Sequence, residues 1–176
     1  MNELPDHLKR SCSIIANPPI QNRIKNELLK LINSQYCDPQ CIYFEDTIPD
    51  KYLHNYCIIN VFCKVNNKNY KFIILNSFPF IPPKLEIQCK PYSYYLDFYS
   101  IQFKHLYFKH KGIPCFCCIT KTCVNNWSPS ITFVDIIEET IHFHNECREI
   151  AHMVIVNVIK RKYLIDDIDI FSWLYV

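Results

Sequence analysis

The chain has 176 residues, a formal net charge of +2 and a hydrophobic fraction of 49%. That length can bury an ordinary core, and that composition is too apolar and aromatic for a disordered chain. The near balance of 19 basic and 17 acidic residues argues against nucleic acid as a partner.

Residues 1–10 hold no apolar segment of the secretory type. Charges break the longest apolar runs well short of the ~18 residues a membrane span needs. Without an export signal, the 11 cysteines read as mostly reduced thiols of a cytoplasmic protein rather than a disulfide framework. With a single glycine, tight turns of positive φ must fall on Asn or Asp.

Residues 1–16 show no clear period and read as an N-terminal arm. Asn17-Pro18-Pro19 is a helix-start signal, an Asn cap with proline in the first turn. Ile20, Ile24, Leu28, Leu31 and Ile32 then share one face, which predicts a helix over about 19–34. Arg23, Lys25, Asn26 and Lys30 fall mostly off that face and give it a basic outer side.

Four strands are expected next, at 41–44, 56–65, 70–75 and 84–87, as an antiparallel meander. Asn66-Asn67-Lys68-Asn69 is a hairpin turn signal. Phe78-Pro79-Phe80-Ile81-Pro82-Pro83 cannot continue a central strand, because proline has no N–H for the ladder. It reads as a rigid exit loop. The Tyr-rich stretch at about 88–100 reads as an ordered insertion, since disordered linkers are poor in aromatics.

From His105 to Trp127 the sequence carries no strong helix or strand signal and reads as a long irregular connection. Thr132-Phe133-Val134-Asp135 has the spacing of a capping box with Asp at its last position. Phe133, Ile136, Ile137 and Ile141 predict a central helix of about 132–149 packed on the sheet. Residues 151–162 either continue it or form another. No repeat or linker divides the chain, so an α+β protein of one domain over 1–176 is expected.

This order of elements resembles the ubiquitin-conjugating enzyme family. The family's Tyr-Pro-Phe-x-Pro-Pro is similar to Phe78-Pro79-Phe80-Ile81-Pro82-Pro83, and its Trp-x-Pro-x-(apolar)-Thr matches Trp127-Ser128-Pro129-Ser130-Ile131-Thr132. The family places a histidine ten residues, and a glycine three residues, before its catalytic cysteine. Here His105 and Gly112 stand in that register to Cys115. The family's His-Pro-Asn reads His105-Leu106-Tyr107. The resemblance spans roughly residues 19 to 145.

The resemblance implies a UBC-like fold with shortened or rearranged C-terminal helices. It implies a thiol that takes ubiquitin, or a ubiquitin-like modifier, from an activating enzyme as a thioester and passes it to a lysine or a ligase. Cys115 is the first candidate for that thiol and Cys117 the second. His105 would support the loop, and Tyr107 would stand where the family has an oxyanion-stabilising Asn. Phe80, Pro129 and Ser130 match positions that meet ligases, and Arg23 and Lys25 lie on the side that meets the activating enzyme. No cofactor is implied, since ATP is used by the activating enzyme. The implied location is cytoplasmic, with the nucleus also open.

Two other readings stand beside it. The family contains catalytically inactive variants that act as ubiquitin-binding or adaptor subunits. Cys115, Cys117, Cys118 and Cys123, with His142, His144, Cys147 and His152, are enough ligands for zinc, but their spacing fits no standard site.

Overall fold

The computed structural model describes residues 3–13, 15, 17–46, 59–97, 99–116 and 119–163. The Ile165–Val176 stretch lies outside them.

The N-terminal stretch read as an arm contains a helix, α1 (Asp6–Ser13). Leu4, Leu8 and Cys12 repeat every four residues and are buried. The period shows only when cysteine is counted as a small apolar residue. Gln21 of the next helix ties α1 down, its Nε2 donating to the Cys12 carbonyl at 2.8 Å.

That next helix, α2 (Pro18–Asn33), starts as predicted. The Asn17 side chain accepts the Ile20 N–H at 3.3 Å. Ile20, Ile24, Leu28 and Leu31 form its buried face. Glu27 shares that face and is fully buried.

Five strands among the described residues form one antiparallel sheet in chain order. They are β1 (Tyr43–Asp46), β2 (Ile59–Val65), β3 (Lys68–Ile74), β4 (Lys84–Ile87) and β5 (Lys90–Pro91). The expected four-strand meander is present, with a two-residue strand added at its edge. Asn66 and Asn67 turn β2 into β3 with φ of 48° and 61°, the pair of left-handed residues a type I′ hairpin requires. Gln88 and Cys89 make the same excursion between β4 and β5, at φ of 50° and 61°. Neither residue type announces a turn. The ladder on both sides holds them there.

The registers Val61↔Phe72 and Phe72↔Leu85 line up one apolar face of the sheet. Against it lies α5 (Phe133–Tyr163), which buries Phe133, Ile136, Ile137, Phe143, Cys147 and Ile150. The helix expected over 132–149 therefore runs on without a break through the apolar stretch that follows. Thr140 is buried at this seam and bonds the Tyr70 hydroxyl at 2.9 Å.

The Tyr-rich stretch contributes β5 and α3 (Tyr92–Asp97). The expectation of an irregular connection from His105 to Trp127 holds for the described residues after Gly112 but fails before it. Residues Ile101–Lys111 form α4. Ser100 caps it, accepting the Phe103 N–H at 3.2 Å. Gly112, at φ 66°, ends it in the left-handed conformation, the usual use of a glycine after a helix. Its aromatic residues hide the apolar period: Phe103, Tyr107 and Phe108 point into a cluster with Tyr99, Phe116 and Phe143, not onto the sheet.

Among the described residues, no helix is long and apolar enough to cross a membrane.

Candidate functional site

Two turns quoted from the sequence meet in space. After β3 the chain turns through Phe78–Pro83, with a cis peptide before Pro79. Phe78, Pro82 and Pro83 are buried, while Phe80 and Ile81 face outward, at 81% and 44% exposure. The Trp127 indole N–H donates to the Pro79 carbonyl at 2.7 Å. Its ring lies 6.2 Å from that of Phe78. This bond sets the Trp127–Thr132 turn beside the proline turn. Pro129 and Ser130 are exposed there. Phe80, Pro129 and Ser130 thus lie on two outward-facing turns joined at their base.

Arg23 closes the frame from behind. Sequence spacing put it on a solvated basic side; the structure turns it inward. Its Nη2 donates to the Ile131 carbonyl at 2.9 Å. Its guanidinium lies 5.9 Å from the Phe78 ring centre. It also faces Glu27 Oε1 at 2.9 Å, a charge contact without aligned hydrogen-bond geometry. The buried carboxylate drew it in. The other Glu27 oxygen accepts the Phe133 N–H at 2.7 Å, the first of α5. Lys25 is half-buried and Lys30 exposed on α2.

Beside this pair the capping box is reciprocal. Asp135 Oδ2 accepts from the Thr132 N–H at 2.7 Å, and Thr132 Oγ1 accepts from the Asp135 N–H at 3.1 Å. Burial would raise the Asp135 carboxyl, but the Thr132 bonds and Lys121 outweigh it and hold the group below its ordinary range.

The candidate thiols lie on the segment between Gly112 and Trp127. Cys115 is half-buried, three residues past the glycine that ends α4. Its neighbour Phe116 is buried and anchors the segment, with ring centres 5.0 Å from Tyr107, 4.8 Å from Phe108 and 5.1 Å from Phe143. Cys117 and Cys118 fall outside the described residues. Farther on, the Lys121 N–H donates to Glu139 Oε2 at 2.6 Å, and Asn126 Nδ2 donates to the Thr120 carbonyl at 3.2 Å. The segment is thus pinned by an aromatic plug at Phe116 and by the half-buried Glu139 carboxylate at Lys121. Burial raises the Glu139 carboxyl above its ordinary range.

His105 and Tyr107 are not on this segment. Both sit within α4, where His105 is exposed and Tyr107 is 1% exposed. The Tyr107 hydroxyl donates to Glu146 Oε2 at 2.6 Å. Burial and that neighbouring carboxylate push the phenol above its ordinary value. The residue expected in the place of an active-site Asn is a packed core tyrosine that joins α4 to α5. The displacement follows from α4 itself, which puts position 107 on its inward face.

Glu146 also pairs with Lys111 and, at 3.0 Å, with His142. Burial would raise its pKa, but the Lys111 and Tyr107 contacts hold it below the ordinary value. A depressed carboxylate stabilises the fold above its unfolded pKa, and that contribution is lost as pH falls through the folded value. Tyr107→Phe is expected to cost about 1.5 kcal/mol, the scale of a hydrogen bond to a charged group. Urea denaturation near neutral pH checks this, and the loss is expected to shrink in acid as Glu146 protonates.

Sequence reasoning missed Glu27, Glu139 and Glu146. Glu27 was legible in principle, as a charge seven residues after Ile20 on the apolar face of α2. The other two are set by partners far along the chain.

Among the described residues, no group of three or more His, Cys, Asp or Glu side chains is placed to hold a metal ion. Comparison with protein families, curated proteins and solved structures finds no match to this chain.

Proposed function

We propose that the chain is a divergent ubiquitin-conjugating-type enzyme with a UBC-like fold, carrying ubiquitin or a ubiquitin-like modifier as a thioester on Cys115. The observation that carries this reading is the Trp127–Pro79 bond. It joins the two turns whose sequences resemble the family's, between an antiparallel meander and the helix packed on it. The half-buried Cys115, between the end of α4 and the Trp127 turn, is the thiol this reading uses.

In this reading the Cys115 thiolate attacks the modifier's C-terminal carbonyl, held as a thioester on the activating enzyme. That enzyme's thiol leaves, and the acyl group now sits on Cys115. A lysine amine or a ligase thiol then attacks the new thioester and releases Cys115. The driving energy comes from the ATP spent by the activating enzyme, so the reaction asks no cofactor of this chain. Phe80, Pro129 and Ser130 offer the surface for a ligase. Lys25, with Lys30, offers the charge for the activating enzyme, since Arg23 is committed to Glu27 and Ile131.

One observation favours the adaptor reading instead. With Tyr107 bonded to Glu146 inside the core, it is not available as an oxyanion donor, and such a donor is typically worth about 10²–10³-fold in rate. Charging separates the two. With activating enzyme, modifier and ATP, the wild-type protein is expected to form a reductant-sensitive adduct that Cys115→Ala abolishes and Cys117→Ala leaves. An adduct that survives Cys115→Ala and is lost in Cys117→Ala moves the thiol to Cys117. No adduct from wild type, together with saturable binding of uncharged ubiquitin, establishes the adaptor.

A further inference from the structure

We propose that Phe116 is a positioning residue for the Cys115 thiol: seated in a socket of α4 and α5, it sets where that thiol is presented. The proposal rests on the conjugation reading and adds how its sulfur is aimed.

Cys115 belongs to a short bridge between two anchors. The upstream anchor is the end of α4. Gly112 turns the chain there at φ 66°, and the Phe108 carbonyl accepts the Gly112 and Ile113 N–H groups, the second at 3.2 Å. Ile113 then packs against the core. The downstream anchor is Phe116, at 4% exposure. Its ring meets three others edge-on, at 4.8 Å from Phe108, 5.0 Å from Tyr107 and 5.1 Å from Phe143. Its carbonyl accepts the Ile119 N–H at 3.2 Å, which fixes the backbone beyond it. Phe108 thus serves both anchors, one through its carbonyl and the other through its ring.

Between the anchored residues lie Pro114 and Cys115. Proline fixes its own φ, so the bridge keeps little freedom to swing. Acyl transfer gives that rigidity a purpose. The sulfur must meet a carbonyl carbon carried on a second protein, and about 1 Å of misplacement can cost roughly 10²-fold in rate. Tyr107, committed to Glu146, contributes here as a wall of the seat and not as an oxyanion donor.

The test compares wild type, Phe116→Ala, Phe116→Leu and Phe133→Ala, each at a temperature where a melt shows it folded. Iodoacetamide labelling is read from the Cys115 peptide, and charging is followed with activating enzyme, ubiquitin and ATP. In Phe116→Ala, labelling of Cys115 should rise on the order of tenfold, as the ring that seats the bridge is gone. The kcat of charging should fall on the order of tenfold or more, with KM nearly unchanged. Phe116→Leu refills most of the seat and should bring both rates to within about threefold of wild type. Phe133→Ala removes a ring of the separate stack with Phe72 and Phe78 and should leave Cys115 labelling at the wild-type rate. The proposal is overturned if Phe116→Ala labels Cys115 no faster than wild type does. It is equally overturned if Phe133→Ala speeds labelling as much as Phe116→Ala. Labelling needs no modifier, so it decides the seat even where wild type forms no thioester, an outcome that sinks the conjugation reading by itself. If Phe116→Ala does not fold, hydrogen exchange of wild type decides. A protected Ile119 amide supports the seat, and exchange of Ile119 at the rate of a free peptide overturns it.

Discussion

Glu27→Ala is expected to destabilise the protein by about 3–5 kcal/mol, the cost of removing one partner from a buried ion pair. Glu27 is fully buried. Its two oxygens serve different chains of contact, one to the Phe133 N–H at the start of α5 and one to Arg23. Alanine leaves that N–H without its acceptor and the guanidinium without its countercharge. For a chain of this length the loss corresponds to a fall in Tm on the order of 10 °C. A thermal melt measures it, and a fall of under ~2 °C would refute the assignment.

Glu27→Gln separates charge from hydrogen bonding. The amide keeps an acceptor for Phe133 and nearly the same volume, so a smaller loss is expected. Burial raises the Glu27 carboxyl above its ordinary value, against the pull of Phe133 and Arg23. A raised carboxyl favours folding most below the unfolded pKa, and that advantage is lost as pH rises through the folded value. The stability of wild type relative to Glu27→Gln should therefore decline from acid toward neutral pH.

Phe133→Ala is the second large effect, at about 3–5 kcal/mol. The ring is fully buried, stacked on Phe72 at 4.4 Å and tilted against Phe78 at 6.0 Å. Removing it opens a cavity where α5, the sheet and the proline turn converge. Phe133→Leu keeps most of the volume and should cost about 1.5 kcal/mol or less. Urea denaturation checks both, with the midpoint moving and the slope unchanged. Because Glu27 holds the Phe133 backbone, the double variant Glu27→Ala/Phe133→Ala should depart from additivity.

These two residues show which part of the architecture was legible. Phe133 could be read as core from its helical spacing with Ile136 and Ile137. The Asn66-Asn67 turn and the Asn17 cap could be read from local chemistry, because each makes its decisive bond within a few residues. Helix α4 could not. Its aromatics pack into a cluster that includes Phe116 and Phe143, so no single stripe faces the sheet. Helix α1 was missed for a related reason, since a cysteine supplied part of its apolar period.

The sequence alone determined an α+β chain with a β-meander, a proline-rigid exit turn, a Trp-x-Pro turn and a helix with a self-capping start. All of these rest on periodicity, proline geometry and short-range hydrogen bonds, which are properties of neighbouring residues. Only the tertiary structure decided that Arg23 points inward and that Tyr107 serves Glu146. The same holds for the Trp127 bond to Pro79. Each depends on a partner far along the chain, and a buried charge or donor turns toward whichever partner folding brings within reach.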